Sequence, residues 1–307
     1  MCCLFGLIDC GHRLTGKQKG RILRALAIQS EERGTDATGI AYNSRGRLHI
    51  YKQPLPARKL HLIIPDDTAV VMGHTRMTTQ GSEKRNYNNH PFLGAAGGDR
   101  FALAHNGVIW NDKQLRKNRK LPGTKIETDS YIAVQLIEKQ KALDLASLKY
   151  MAEQVEGSFT FTVLREDDTL SFVRGDSSLS LYHYPQLGLY LYASTRAILD
   201  RAVERTWLRR EIAREVRVEP GDILQIDAQG EQHSSLFEYD PWDGFSWGRW
   251  PYPPTSVKQP KPQETAYVRE LKSVAGAFGY SPEAVDRMLA HGFTTDEIEE
   301  FLYCGEV

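Results

Sequence analysis

Four cysteines in 307 residues, Cys2, Cys3, Cys10 and Cys304, are too few and too unevenly placed for a secreted disulfide framework. No CxxC pair offers a zinc site, and nothing else in the sequence calls for a metal or an organic cofactor. The expected compartment is a reducing cytoplasm. Net charge is missing too: Lys plus Arg and Asp plus Glu both number 39. No global field therefore draws the chain to nucleic acid or to an anionic membrane. Local basic runs such as Arg116-Lys117-Asn118-Arg119-Lys120 read as solvated faces. No apolar run approaches the roughly 18 residues of a membrane span. The N-terminus lacks the basic segment and long apolar core of a signal peptide, and Asp9 enters early.

What is present begins at the first six residues, Met1-Cys2-Cys3-Leu4-Phe5-Gly6. A cysteine behind the initiator methionine is small enough for that methionine to be trimmed. Trimming would leave a thiol and a free α-amine on one residue, nucleophile and base together. The competing reading is a small hydrophobe at the head of a buried strand. The run from Cys3 to Ile8 reads as that strand, buried on both faces and ended by Asp9 and Gly11.

Helical spacing follows from Gly16 to Glu32, then strands Thr38–Tyr42 and Leu48–Gln53 around the turn Asn43-Ser44-Arg45-Gly46. A strand from Ala69 runs into Gly73-His74-Thr75-Arg76, and the polar segment from Thr78 to Asn89 reads as a loop of the length that carries function. The strand Phe101–His105 leads to Asn106-Gly107, a pair common at hairpin tips. Thr128 or Asp129 is placed to cap a helix over 131–137. Another helix, over about 146–155, precedes strands at 158–164, 170–174, 179–184 and 187–192. A helix over 195–205 and a hairpin from Val216 to Ile226, turning at Pro220-Gly221, complete this part. Alternating blocks with many hairpins predict an α+β fold on largely antiparallel sheets. From Asp240 the composition changes: 240–264 is a Pro/Trp-rich linker, and 265–307 carries three short helical patterns, a small helical module.

Several stretches match one family in order: CCLFG at the N-terminus, RGTDATGIA at 33–41, GHTR at 73–76, NNHP at 88–91, AHNGVIWN at 104–111, ETDS at 127–130, EGSF at 156–159 and YASTRAIL at 192–199. Residues 2 to roughly 200 thereby resemble the glutaminase domain of class II glutamine amidotransferases, which are N-terminal nucleophile hydrolases. The resemblance implies a four-layer αββα sandwich, with residues 2–239 forming the glutaminase domain. It makes Cys2 the nucleophile that releases ammonia from the glutamine side chain through a thioester, and Asn106 and Gly107 the oxyanion donors. Arg76 would grip the α-carboxylate and Asp129 the α-ammonium of L-glutamine. Thr79 and His90 would line the pocket, while Arg33 and Asp36 would shape the ground beneath the nucleophile. His74 and His105 read as structural, since this mechanism needs no histidine base.

Cys3 stands where the family commonly has glycine, and Met77 and Gln80 replace the tryptophan and histidine of the sugar-phosphate branch. The large synthase domain of the familiar enzymes is not represented. The expectation is a glutaminase that supplies ammonia to a separate acceptor or synthase protein. Hydrolysis of another γ-glutamyl or amide substrate, and a non-catalytic glutamine-sensing or docking module, are the alternatives.

Overall fold

A computed structural model of the chain describes residues 2–239 and, beyond them, residues 268, 271, 272, 275, 280–290, 295 and 298. The chain divides into two compact units, residues 1–246 and 247–307.

The first unit is organised around β1 (Cys3–Asp9), whose seven residues are all buried. Its alternation serves two cores. Cys3, Phe5 and Leu7 meet apolar residues of α1 (Gly16–Gln29) and α5 (Arg196–Glu204), among them Ile22, Leu26 and Ile198. Leu4 and Ile8 point the other way, toward Ala102, Ala104, Leu164 and Phe172 of a second sheet. Burying each large apolar side chain contributes about 1.5–3 kcal/mol, which is why an uninterrupted apolar run becomes a central strand.

The first sheet contains β1, β2 (Ala37–Ser44), β3 (Arg47–Gln53), β4 (Val70–Arg76), β9 (Ser180–Tyr184), β10 (Leu189–Ala193) and β11 (Arg214–Val216), in the order β11-β9-β10-β1-β4-β2-β3. The second contains β5 (Phe92–Ala96), β6 (Asp99–Ile109), β7 (Gly157–Arg165), β8 (Leu170–Arg174), β12 (Asp222–Ile226) and β13 (Gln232–Leu236), in the order β13-β12-β8-β7-β6-β5. Every pairing is antiparallel. The outer face of the second sheet is covered by α3 (Tyr131–Gln140) and α4 (Leu145–Gln154), with Ile132, Leu136 and Met151 against Phe159 and Phe161. The short α2 (Asp112–Asn118) adds Leu115 to that core. Helices, sheet, sheet and helices follow one another, the expected αββα sandwich. The helix starts are chemically specified: Thr15 and Gln18 form a capping box on α1, and Thr195 accepts from Ile198 N–H at the start of α5.

One local expectation is corrected. Val216 to Ile226 is not a hairpin: β11 pairs with β9 in one sheet, β12 with β8 and β13 in the other. Pro220-Gly221 turns the chain from sheet to sheet, with Val218 buried between them and Gly221 N–H bonded to Arg174 O at 2.8 Å. Asn106-Gly107, a pair common at hairpin tips, lies inside a strand here: β6 runs straight through it in register with β7.

The linker expected at 240–264 lies outside the described residues. In the second unit a helix, Pro282–Ala290, coincides with the middle of the three helical patterns and starts where Ser281-Pro282 marks it. Leu271, Ala275, Val285 and Ile298 are buried together there; most of the two flanking patterns lies outside the described residues.

One buried charge pair ties down the far end of β1. Lys19 Nζ lies 3.5 Å from Asp9 Oδ2, both side chains fully buried. The ammonium also donates to Asp66 O and Thr68 O, and the carboxylate accepts from Arg13 and Leu14 N–H. Lys19→Met leaves the Asp9 charge without its partner. The expected loss of unfolding free energy in urea is about 3–5 kcal/mol; an unchanged midpoint would contradict this account.

Candidate active site

The register of β1 against β4 sets the site. Cys3 pairs with Thr75, so Cys2 comes to lie against the end of β4. Its half-buried thiol is 3.4 Å from Met77 O and receives Met77 N–H at 3.4 Å. Segment 33–36 forms the bed under residues 76–78. Gly34 approaches so closely that a Cβ would stand 2.4 Å from the Arg76 carbonyl carbon. Asp36 N–H donates to Arg76 O at 3.0 Å, and Asp36 Oδ2 accepts from Thr78 N–H at 2.7 Å. Arg33 reaches across to Ser178 Oγ at 3.1 Å.

Arg76 is the last residue of β4 and only 3% exposed. Its guanidinium gathers the following loop: Nη1 donates to Asn89 Oδ1 at 2.7 Å, and Nη2 donates to Gln80 O at 2.5 Å and Gly81 O at 3.1 Å. Asn89 is itself held by Glu83 O through Nδ2 at 2.8 Å. Asp129, also buried, accepts from Ile109 N–H at 2.7 Å and donates its own N–H to Gln80 Oε1 at 3.0 Å. It is not the helix cap: Ser130 occupies the capping position of α3 and makes no side-chain cap bond. With its carboxylate turned toward β6, Asp129 shares one electrostatic neighbourhood with Cys2 and Arg76, each shifting the thiol.

The second sheet contributes Asn106 and Gly107. Asn106 Nδ2 donates to Ser194 Oγ at 3.2 Å, and the same oxygen accepts Leu4 N–H at 2.8 Å, so one hydroxyl joins the amide to β1, the strand that Cys2 precedes. Gly107 has φ +130°, and a Cβ there would stand 1.9 Å from Ser158 O, so only glycine fits.

Thr79 is exposed on the loop, and His90 is buried behind it, its ring against His74 at 4.2 Å and Phe92 at 4.4 Å between centroids. Burial lowers the basicity of all three neighbouring imidazoles: His74 to about 3, His90 well below its ordinary value, and His105 also downward. These rings are neutral near pH 7. The bonds that the Cys2 thiol makes go to the Met77 main chain, not to a histidine. Sequence reading gave no role to Asn89, Ser194 or Gln80. The first two sit inside the matched stretches NNHP and YASTRAIL, but their partners are remote in the chain. Among the described residues one trio, Asp227, Glu231 and His233 at the β12–β13 turn, has metal-ligand spacing, and no residue of the Cys2 site belongs to it.

The Cys2 thiol thus stands at the head of a central strand of one antiparallel sheet, with Arg76 and Asp129 in its electrostatic neighbourhood and Asn106 tied to its strand through Ser194, the residues that the resemblance to N-terminal nucleophile hydrolases singles out. Residues 74–201 match the family model described as a glutamine amidotransferase domain. Glutamine–fructose-6-phosphate aminotransferase [isomerizing] of Halalkalibacterium halodurans is 30% identical over 200 residues, covering 63% of this chain and 32% of the relative. 7-Cyano-7-deazaguanine synthase of Sulfolobus acidocaldarius is 24% identical over 221 residues, 69% of this chain and 45% of the relative. Among solved structures, the glutamine phosphoribosylpyrophosphate amidotransferase from B. subtilis superposes with a TM-score of 0.60 at 22% identity, covering 77% of this chain and 49% of that one. The chain thus spans less than half the length of each of these relatives. It carries a class II glutamine amidotransferase domain.

Burial pushes the Cys2 thiol up, against the opposing pull of Met77 N–H, the amino terminus and Arg76, while Asp129 raises it further. The thiol therefore rests protonated at neutral pH. In the chain that still carries Met1, alkylation by iodoacetamide should climb with pH and reach half its limiting rate above the ordinary thiol value of 9.0; a midpoint below that value would show a thiolate at rest.

Proposed function

We propose that this domain hydrolyses the side-chain amide of L-glutamine to glutamate and ammonia with Cys2 as nucleophile, once Met1 has been trimmed. The α-amine freed on Cys2 takes the thiol proton as sulfur attacks the amide carbon. The C–N bond then breaks, ammonia leaves with that proton, and a thioester remains. Water attacks the thioester, the C–S bond breaks, and the thiol and its amine are restored. The oxyanion of each tetrahedral step falls to the Asn106 amide and Gly107 N–H. The N–H groups of Arg76 not engaged by Asn89, Gln80 and Gly81 meet the α-carboxylate, and Asp129 meets the α-ammonium. Thr79 and His90 belong to the wall of the pocket in this reading, and Arg33 and Asp36 to its floor.

The observation that carries the proposal is the convergence of Cys2, Arg76 and Asp129, from positions up to 127 residues apart (129 − 2), into one charge-coupled cluster. Ammonia passes to a separate acceptor or synthase. No helix among the described residues is long and apolar enough to cross a membrane. Residues 2–239 would act as the glutaminase domain, followed by the linker 240–264 and the helical segment 265–307.

Glutamine hydrolysis, followed as glutamate release, should vanish in Cys2→Ala and in a chain whose N-terminal extension is retained; turnover surviving both would sink the assignment. In Asn106→Ala, kcat should fall about 10²–10³-fold with little change in KM. Because Arg76 and Asp129 read only the amino-acid end, a γ-glutamyl conjugate fits them as well. Comparing glutamine with γ-glutamyl amides under identical conditions separates the two.

A further inference from the structure

We propose that Lys52 is a positioning residue for substrate recognition, its side chain clamping the main chain on either side of His90 and so, through Asn89, fixing the guanidinium of Arg76. The role rests on the glutamine reading above.

Lys52 is half-buried on β3, the outermost strand of the first sheet. Its Nζ donates to Asn89 O at 2.6 Å and to Pro91 O at 2.9 Å, and lies 5.1 Å from the centroid of Phe92. Its own carbonyl accepts Asn86 Nδ2 at 2.8 Å, and Asn86 Oδ1 accepts Asn89 Nδ2 at 3.2 Å. One residue thus holds the segment 86–91 at both ends. The only side chain in that segment bonded to Arg76 is that of Asn89, whose Oδ1 takes Nη1–H at 2.7 Å. Without the clamp, two main-chain carbonyls and the amide facing Arg76 lose their common anchor.

The link is also sensitive to protonation. Burial first, and the charge of Arg76 second, lower the Lys52 ammonium to about 8. The groups facing it are Arg76 and His74 from β4 and His90 from the loop, and both imidazoles are kept neutral by burial. Below about 8 Lys52 is charged and makes charge-assisted bonds to both carbonyls; as pH rises through that value the charge goes and the bonds weaken.

The test uses a Cys2→Ala background, which is expected to bind without turning over. L-glutamine affinity is measured by calorimetry from about pH 6.5 to about pH 9.5 in the parent, Lys52→Arg and Lys52→Met. Amide exchange of residues 80–91 is followed in parallel, corrected for intrinsic rate at each pH. The parent should lose about tenfold in affinity as pH passes 8, in step with faster loop exchange. Lys52→Arg should hold both across the range. Lys52→Met should be about tenfold weaker already at neutral pH, with no further limb of its own. Loss of the ammonium proton of glutamine affects every variant alike, so the differences between variants carry the result. Unchanged exchange in Lys52→Met overturns the proposal, and so does altered exchange with unaltered affinity. A chain that neither binds glutamine nor, with Cys2 intact, hydrolyses it overturns the glutamine reading itself, a failure recognised by the silence of the parent.

Discussion

The site depends on the antiparallel register between β1 and β4. Because Cys3 stands opposite Thr75, Cys2 reaches the Arg76–Met77 peptide, and the arginine is delivered beside the thiol by the same ladder. A slip of one residue would turn Cys3 and Phe5 into the core between the sheets and Leu4 into the core under the helices, so both cores enforce the register. Segment 33–36 then seals the arrangement from below, its glycine allowing the contact and its aspartate bonding the main chain on either side of Met77.

A second requirement acts between layers. Cys2 and Arg76 belong to one sheet, Asn106 and Gly107 to the other. Between them the core is apolar, apart from a few polar ties. Asn106 reaches Ser194 at the end of β10, and His74 Nε2 lies 3.0 Å from His105 O. These contacts fix how far β6 lies from the head of β1. In a buried, low-dielectric setting such bonds specify geometry strongly, because leaving either partner unpaired is costly. Neutral imidazoles suit that place, since they bond without bringing charge into the interior.

The layered fold was legible where patterning was strong. The apolar run of β1, the helical spacing of α1 and the alternation of β7 all have local causes, and each element lies where its pattern puts it. Pro220-Gly221 misled because a turn pair looks the same whether the chain folds back on its own sheet or crosses to the next. Asn106-Gly107 was ambiguous for a related reason: a positive φ inside a strand and one at a hairpin tip both call for glycine. In the site, matched motifs named the residues expected to meet substrate but not the ones that hold them. Asn89, Ser194 and Gln80 act through partners brought near by folding, and no spacing rule encodes such pairs. Asp129 shows the converse. Its place before α3 suggested a cap, and only the bond to Ile109 N–H reveals that it belongs to β6.

The division of the site between two sheets has a consequence for the nascent chain. Cys2 leaves the ribosome about a hundred residues before Asn106 and Gly107, and Ser194 follows later still. Non-local β pairing is slow to form. During that interval Cys2 lacks the neighbours that folding later gathers around it, Arg76 on its own sheet and Asn106 and Gly107 on the other. Under the glutaminase reading, maturation is therefore an assembly event, complete only when residues of both sheets have met around Cys2.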